Sequence, residues 1–133
     1  MSQANINVIQ TAYAAFGRGD TEGVVSACAP DVAWHVTGSR KDYPTMGLWN
    51  GTKEVREFFR LVGETEEFSE FAPKQFYSAE DKVFALGHYT LKVKKTGKPV
   101  ASDWMHVFTV KGGKIVAFQE FNDSAQFVAA YRG

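Results

Sequence analysis

The stretch KPVASDWMHVFTV, from Lys98 to Val110, and the stretch KGGKIVAFQEFND that follows it, from Lys111 to Asp123, decide how the chain folds. The first splits by parity, as a pleated strand does. Even positions give Val100, Ser102, Trp104, His106, Phe108 and Val110; odd positions give Ala101, Asp103, Met105, Val107 and Thr109. The even face is bulkier and more aromatic, so it is assigned inward. His106 is then the one ionisable group on an apolar row. Gly112-Gly113 marks a turn, and Lys114 to Asn122 returns as a second long strand. A two-residue turn places Gln119 opposite His106. A three-residue loop with Gly113 left-handed places Phe118 there and Glu120 opposite Trp104. The second is preferred, because it sets Val116 and Phe118 against the apolar row and leaves Glu120 and Asn122 on the inward face.

Working outward, Val83 to Lys94 reads as the preceding strand, joined through Thr96-Gly97. A two-residue turn there pairs Gly87 with His106 and Tyr89 with Trp104. A glycine facing an imidazole leaves room above the sheet. A slip of one residue turns His88 inward instead of Gly87. Phe68 to Tyr77 is a further strand, and Pro73 makes it an edge or a bulge.

The first part of the chain has helical period. Ile6, Ile9, Tyr13 and Phe16 form one face of a helix from Asn5, stopped by Gly17 and Gly19. Asp20 caps a short helix through Cys28, ended by Pro30. Asp31 to Thr37 reads as a strand, and residues 38–51 as a long loop. A third helix runs from Thr52 to Val62, with Gly63 as its stop. Asp123 caps a last helix carrying Phe127, Val128 and Tyr131. Helices first and strands after them make an α+β fold. The expectation is one domain over 1–133: a cone-shaped, curved antiparallel sheet, three N-terminal helices on its concave face and a short C-terminal helix.

Composition agrees. The 133 residues include 11 Phe, 5 Tyr and 3 Trp, with 14 Val but only 4 Leu and 3 Ile. That excludes disorder and disfavours a Leu-rich bundle. Fifteen basic residues against fifteen acidic ones leave no field to steer nucleic acid or an anionic membrane. The single Cys28 excludes internal disulfides and a Cys-built zinc site. His35, His88 and His106 could hold zinc only if three strands turned them to one point, and no HExxH pattern supports that. There is no GxSxG, phosphate loop or dinucleotide fingerprint, so neither metal nor cofactor is expected. With no apolar run of membrane length, a cytoplasmic protein is expected.

These parities give a concave wall of Tyr89, Leu91, Trp104, Phe108 and Phe118, with His106, Glu120 and Asn122 as its polar groups. Phe58 or Phe59 of the third helix, Tyr13 or Phe16 of the first, and Trp34 could close the cavity. An imidazole and a carboxylate in an apolar pocket suit proton transfer. The same pair serves equally as paired polar residues with no chemistry. The outer face, with Phe84, Leu86, His88 and Thr90, suits a homodimer contact.

The chain also resembles a known family. The relevant residues are Gly17-Arg18-Gly19-Asp20, Ala29-Pro30-Asp31 before Val32-Ala33-Trp34-His35-Val36, and Trp49-Asn50-Gly51 before Val55-Arg56-Glu57-Phe58-Phe59. To these add Val107-Phe108-Thr109-Val110, Gly113-Lys114-Ile115-Val116 and Glu120-Phe121-Asn122-Asp123. Together they resemble SnoaL-like, ketosteroid isomerase-like members of the nuclear transport factor 2-like superfamily, over nearly the whole chain. The resemblance implies a cone with a deep hydrophobic pocket, usually in a homodimer. Ketosteroid isomerases use an Asp base, with a Tyr and a protonated Asp as oxyanion donors. His106 takes the place of that protonated Asp. The base position falls near Val36, and the Tyr position near Ala12, one residue before Tyr13. Two of three parts are missing, which argues against steroid isomerisation. Cyclase- and epoxide-hydrolase-like members place acid/base groups on the last strands, as Glu120 and His106 do, although the Arg-Asp pair of the hydrolases is not evident. The expected activity is binding of a hydrophobic, oxygenated small molecule, with cofactor-free isomerase, cyclase or hydrolase chemistry. Glu120 is the base and His106 the donor, or the reverse. The alternative is a non-catalytic binding or dimerisation module.

Overall fold

The structure, a computed structural model, describes residues 2–133. The elements run α1 (Ser2–Gly17), α2 (Thr21–Ser26), β1 (Cys28–Val36), β2 (Gly47–Asn50), α3 (Gly51–Thr65), β3 (Glu66–Ala79), β4 (Lys82–Val93), β5 (Pro99–Lys111), β6 (Lys114–Phe121) and α4 (Ser124–Arg132). The six strands form one curved, unclosed sheet ordered β2-β1-β6-β5-β4-β3. All neighbours are antiparallel except β1 and β6, which pair in parallel. The sheet is therefore not purely antiparallel as expected. The fold is α+β, with its core between the helices and the concave face. No described helix is long and apolar enough to cross a membrane.

Parity holds along β5: Val100, Ser102, Trp104, His106, Phe108 and Val110 are all buried. Registers depart from expectation on both sides. The β5–β6 turn is the two-residue Gly112-Gly113, both glycines left-handed, closing on Lys111 and Lys114. A bulge at Val116 then shifts the pairing between Thr109 and Val110. The result is His106 opposite Glu120 and Phe108 opposite Phe118. The same inward set is kept by a turn and a bulge rather than by a longer turn.

On the other side, the loop after β4 is longer than two residues, since Lys92 pairs with Pro99. Gly87 stands opposite Trp104, and Ala85 opposite His106. Gly87 faces inward and His88 outward, where its imidazole meets Asp103 at 2.9 Å. The glycine does not open space over the imidazole. It makes room for the Trp104 indole: a Cβ there would lie 2.3 Å from Trp104 Cζ2 and 2.5 Å from the Ala72 carbonyl oxygen.

Elsewhere the boundaries move. α2 ends at Ser26, and Cys28 and Pro30 lie in β1, whose edges tolerate a proline at its start. The Asp20 carboxylate does cap α2, accepting from the Gly23 N–H at 2.9 Å. Asp123 precedes α4 without a side-chain cap. The 38–51 loop contains the short strand β2, recruited by pairing with β1. Gly63 does not stop α3, which continues one turn-length further until Glu66 turns extended. Pro73 sits at a register shift in the edge strand β3.

Candidate functional site

Tyr13 from α1, Tyr89 from β4, His106 from β5, and Glu120 on β6 with Asn122 just after it meet at the concave face. Their contacts form a chain. Tyr13 Oη lies 2.7 Å from His106 Nδ1, and His106 Nε2 lies 2.9 Å from Glu120 Oε1. Tyr89 Oη donates to Glu120 Oε2 at 2.8 Å, and Asn122 Nδ2 donates to the same oxygen at 2.7 Å and to Tyr89 Oη at 2.9 Å. An ionised carboxylate only accepts, so Nε2 of His106 carries the hydrogen toward Glu120. Nδ1 shares the second hydrogen bond with the Tyr13 hydroxyl: it accepts from the phenol when the ring is neutral and donates to it when the ring is charged.

Electrostatics support that assignment. Burial presses the Glu120 pKa upward, but the hydrogen bond and charge of His106, with the hydrogen bonds from Tyr89 and Asn122, outweigh it. The carboxyl is held below its ordinary value and is ionised at neutral pH. Burial, then the Glu120 charge, pushes the Tyr13 hydroxyl well above its usual range, so it keeps its proton. Behind the relay, Trp104 stacks on His106 with centroids 3.9 Å apart and planes 16° from parallel.

The relay opens on a cavity of about 90 Å³. As its side chains stand, it is smaller than the roughly 150 Å³ apolar cavity that takes benzene. Phe16 of α1, Phe59 and Val62 of α3, and Phe68 and Phe71 of β3 are only half-buried, and a larger ligand needs these side chains to move. Of the residues read from sequence, Tyr13, Phe16, Trp34, Phe58, Phe59, Tyr89, His106, Phe108, Phe118, Glu120 and Asn122 line this cavity. Leu91 and Trp104 do not, which corrects the expectation for both. Leu91 is sealed in the core, and Trp104 fills the space over Gly87 behind His106. Val36, where the resemblance puts a base, pairs with Glu120, so β6 delivers a carboxylate beside it. His35 contacts Gln119 at 2.6 Å outside the cavity, and among the described residues no three metal-binding side chains converge.

Among the lining residues that the sequence reading did not place there, two are titratable, Tyr43 and Glu66. Tyr43, in the loop before β2, donates to Glu66 Oε2 at 2.7 Å. Burial raises the Glu66 carboxyl to about 8, against the lowering pull of the Tyr43 hydrogen bond and with a further rise from the Glu120 charge. The run Glu64-Thr65-Glu66-Glu67 reads as solvated, and only the helix-to-strand junction turns the middle carboxyl inward.

This raised value has a sign. Between its ordinary 4.5 and about 8, Glu66 is protonated when folded and ionised when unfolded. Its contribution is full below 4.5 and is lost as pH rises toward 8. The urea midpoint of the wild type, relative to Glu66→Gln, is expected to fall across that window and level above it. A pH-independent difference would remove the buried, protonated carboxyl.

The chain belongs to the SnoaL-like domain family, whose model matches residues 9–118. Its fold is that of NTF2-like proteins. It is similar to an NTF2-like protein of Burkholderia xenovorans LB400, at 27% identity over 98% of each chain with a TM-score of 0.89. An NTF2-like protein of unknown function from Burkholderia pseudomallei K96243 aligns at 27% identity over 98% of each chain, TM-score 0.87. TerC, solved after co-crystallisation with polyporic acid, is 26% identical over 98% of this chain and 99% of its own, TM-score 0.86. No curated protein matches the sequence.

Proposed function

We propose that the cavity binds a hydrophobic, oxygenated small molecule, and that the Tyr13–His106–Glu120 relay moves a proton on it without a cofactor. The reaction is of the isomerase, cyclase or hydrolase kind. The observation that carries this reading is the relay itself, continuous from carboxylate to phenol and ending on an aromatic cavity. Glu120 accepts from three side chains and so orients His106 rather than meeting the ligand. With the ring charged, His106 Nδ1 donates to the Tyr13 oxygen and the phenol's one hydrogen turns to the ligand; with the ring neutral, Tyr13 passes a ligand proton on to Nδ1. An oxygenated ligand also suits Trp34 Nε1 and Asn122 Oδ1, buried atoms of the cavity wall that lack hydrogen-bond partners. The crystallisation of TerC with a small organic acid fits the same ligand class.

His106→Ala and Glu120→Gln test the relay. Glu120→Gln keeps the shape of the carboxylate but places an amide N–H against His106 Nε2–H, unless the imidazole changes tautomer. Both variants are expected to cut turnover or ligand affinity by about a hundredfold or more while the domain stays folded. If both mainly lower the melting temperature, and ligand binding is untouched, the relay is structural.

A homodimer through the outer sheet face belongs to the same proposal. Registers align Leu86, Met105 and Phe121 in one row across β4, β5 and β6, and Tyr77, Phe84 and Val107 in the next across β3, β4 and β5. Phe121 is 45% exposed and Tyr77 55%. Sedimentation is expected to show a dimer at micromolar concentration, and Phe121→Asp with Leu86→Lys a monomer. A monomeric wild type overturns this contact.

A further inference from the structure

The relay uses one carboxylate of the cavity and leaves the other, Glu66, without a role. Glu66 opens β3 and pairs with Val93 near one end of β4, whereas His106 pairs with Ala85 near the other. Both line the same cavity. Tyr43 clamps Glu66 Oε2. The phenol is itself wedged against Phe127 and Tyr131, with centroids 5.2 and 5.5 Å away, so the carboxyl cannot swing aside. Oε1 has no hydrogen-bond partner among the described residues. A buried carboxyl held by one oxygen, with the other free at a cavity wall, is built to meet something.

We propose that Glu66 is a second ligand-contacting group, which binds an oxygen of the ligand through Oε1, so that the cavity selects flat aromatic molecules with oxygen functions at both ends. One oxygen meets Tyr13 and the other meets Glu66. The inference rests on the cavity being the ligand site, as proposed above, and adds which ligands it prefers. The charged and titratable groups facing Glu66 are Tyr43 from the loop before β2, Tyr89 from β4 and Glu120 from β6. None is a cation. The carboxyl therefore remains an O–H donor at neutral pH, suited to a phenol, a carbonyl or an enol oxygen and unsuited to a carboxylate.

A matched pair of fluorescent probes tests this: 2-naphthol, with one hydroxyl, and naphthalene-2,6-diol, with one at each end. Titrated into the whole protein at pH 7, the diol is expected to bind about tenfold more tightly than 2-naphthol, the worth of one buried hydrogen bond. Glu66→Leu is expected to reduce that preference to within about twofold. Glu66→Gln, which retains a donor, is expected to keep most of the preference. A measurement on the wild type stands independently of whether the Leu variant folds. Difference infrared spectra are expected to show the Glu66 carboxyl band, assigned by its loss in Glu66→Gln, shifting with the diol and not with 2-naphthol. If 2-naphthol binds but the second hydroxyl adds nothing, or the preference survives Glu66→Leu, the Glu66 contact is overturned and the ligand cavity stands. If neither probe binds the wild type, the ligand reading and this contact both fall.

Discussion

Glu120→Ala is expected to destabilise the domain by about 4 kcal/mol, within the range for removing one partner of a buried charge pair. Three groups lose their acceptor together: His106 Nε2, Tyr89 Oη and Asn122 Nδ2. His106 is 4% exposed and Tyr89 3%, so the groups left without an acceptor are themselves sheltered from bulk water. Thermal melts followed by near-ultraviolet circular dichroism should show a midpoint roughly 10 to 20 °C lower. The loss should also be coupled: with His106→Ala already present, Glu120→Ala should cost much less than it does alone. Simple additivity of the two substitutions would show that the imidazole and the carboxylate do not depend on each other. The acid side carries a matching sign. Because the Glu120 pKa is depressed in the fold, its contribution is present above the ordinary carboxyl range and is lost as pH falls through the lower, folded value.

Gly87→Ala is the second large effect, and it comes from packing alone. The added methyl would lie 2.3 Å from Trp104 Cζ2 and 2.5 Å from a backbone oxygen of the neighbouring strand. The ring could tilt, but the carbonyl is held in the β3–β4 ladder. The expected cost is about 3 kcal/mol, the upper end for overpacking a core. A tilted Trp104 would also leave its stack on His106. Activity or ligand affinity should therefore fall in the molecules that remain folded, and the tryptophan near-ultraviolet signal should change with it. A variant with wild-type melting and wild-type tryptophan signal would show that the Trp104 ring does not lie over Gly87.

Parity is why the face of each long strand could be read from the residues. Every second residue of β5 from Val100 to Val110 is apolar or His106 or Ser102, and only one face can be inside. Pairing was not legible to the same degree. A two-residue glycine turn plus one bulged residue leaves the parity of a longer turn intact, yet it moves Glu120 from beside Trp104 to beside His106. Nothing in Lys114-Ile115-Val116 marks the bulge. β2 was hidden because Gly47-Leu48-Trp49-Asn50 lies among turn formers and becomes a strand only when β1 offers it an edge. Gly63 failed as a helix stop because packing of Val55, Phe58 and Val62 outweighs the propensity cost of one glycine. Tyr43 and Glu66 were missed for a common reason: each sits in a polar segment, and only the contact between them makes either one part of a site.

The parallel pairing of β1 with β6 has a consequence for the order in which this chain can assemble. Trp34 meets its β6 neighbour Phe118 only after 83 intervening residues have been made. Until then the early strand has just the short β2 beside it, and its aromatic face has no partner strand. Such distant pairing raises the entropy lost before contacts reward it, and it slows folding. During synthesis the N-terminal third is thus sticky and unfinished, and its completion waits on the last strand to leave the ribosome. A chain cut short before Phe118 would lack more than its end: the first strand would never acquire its neighbour.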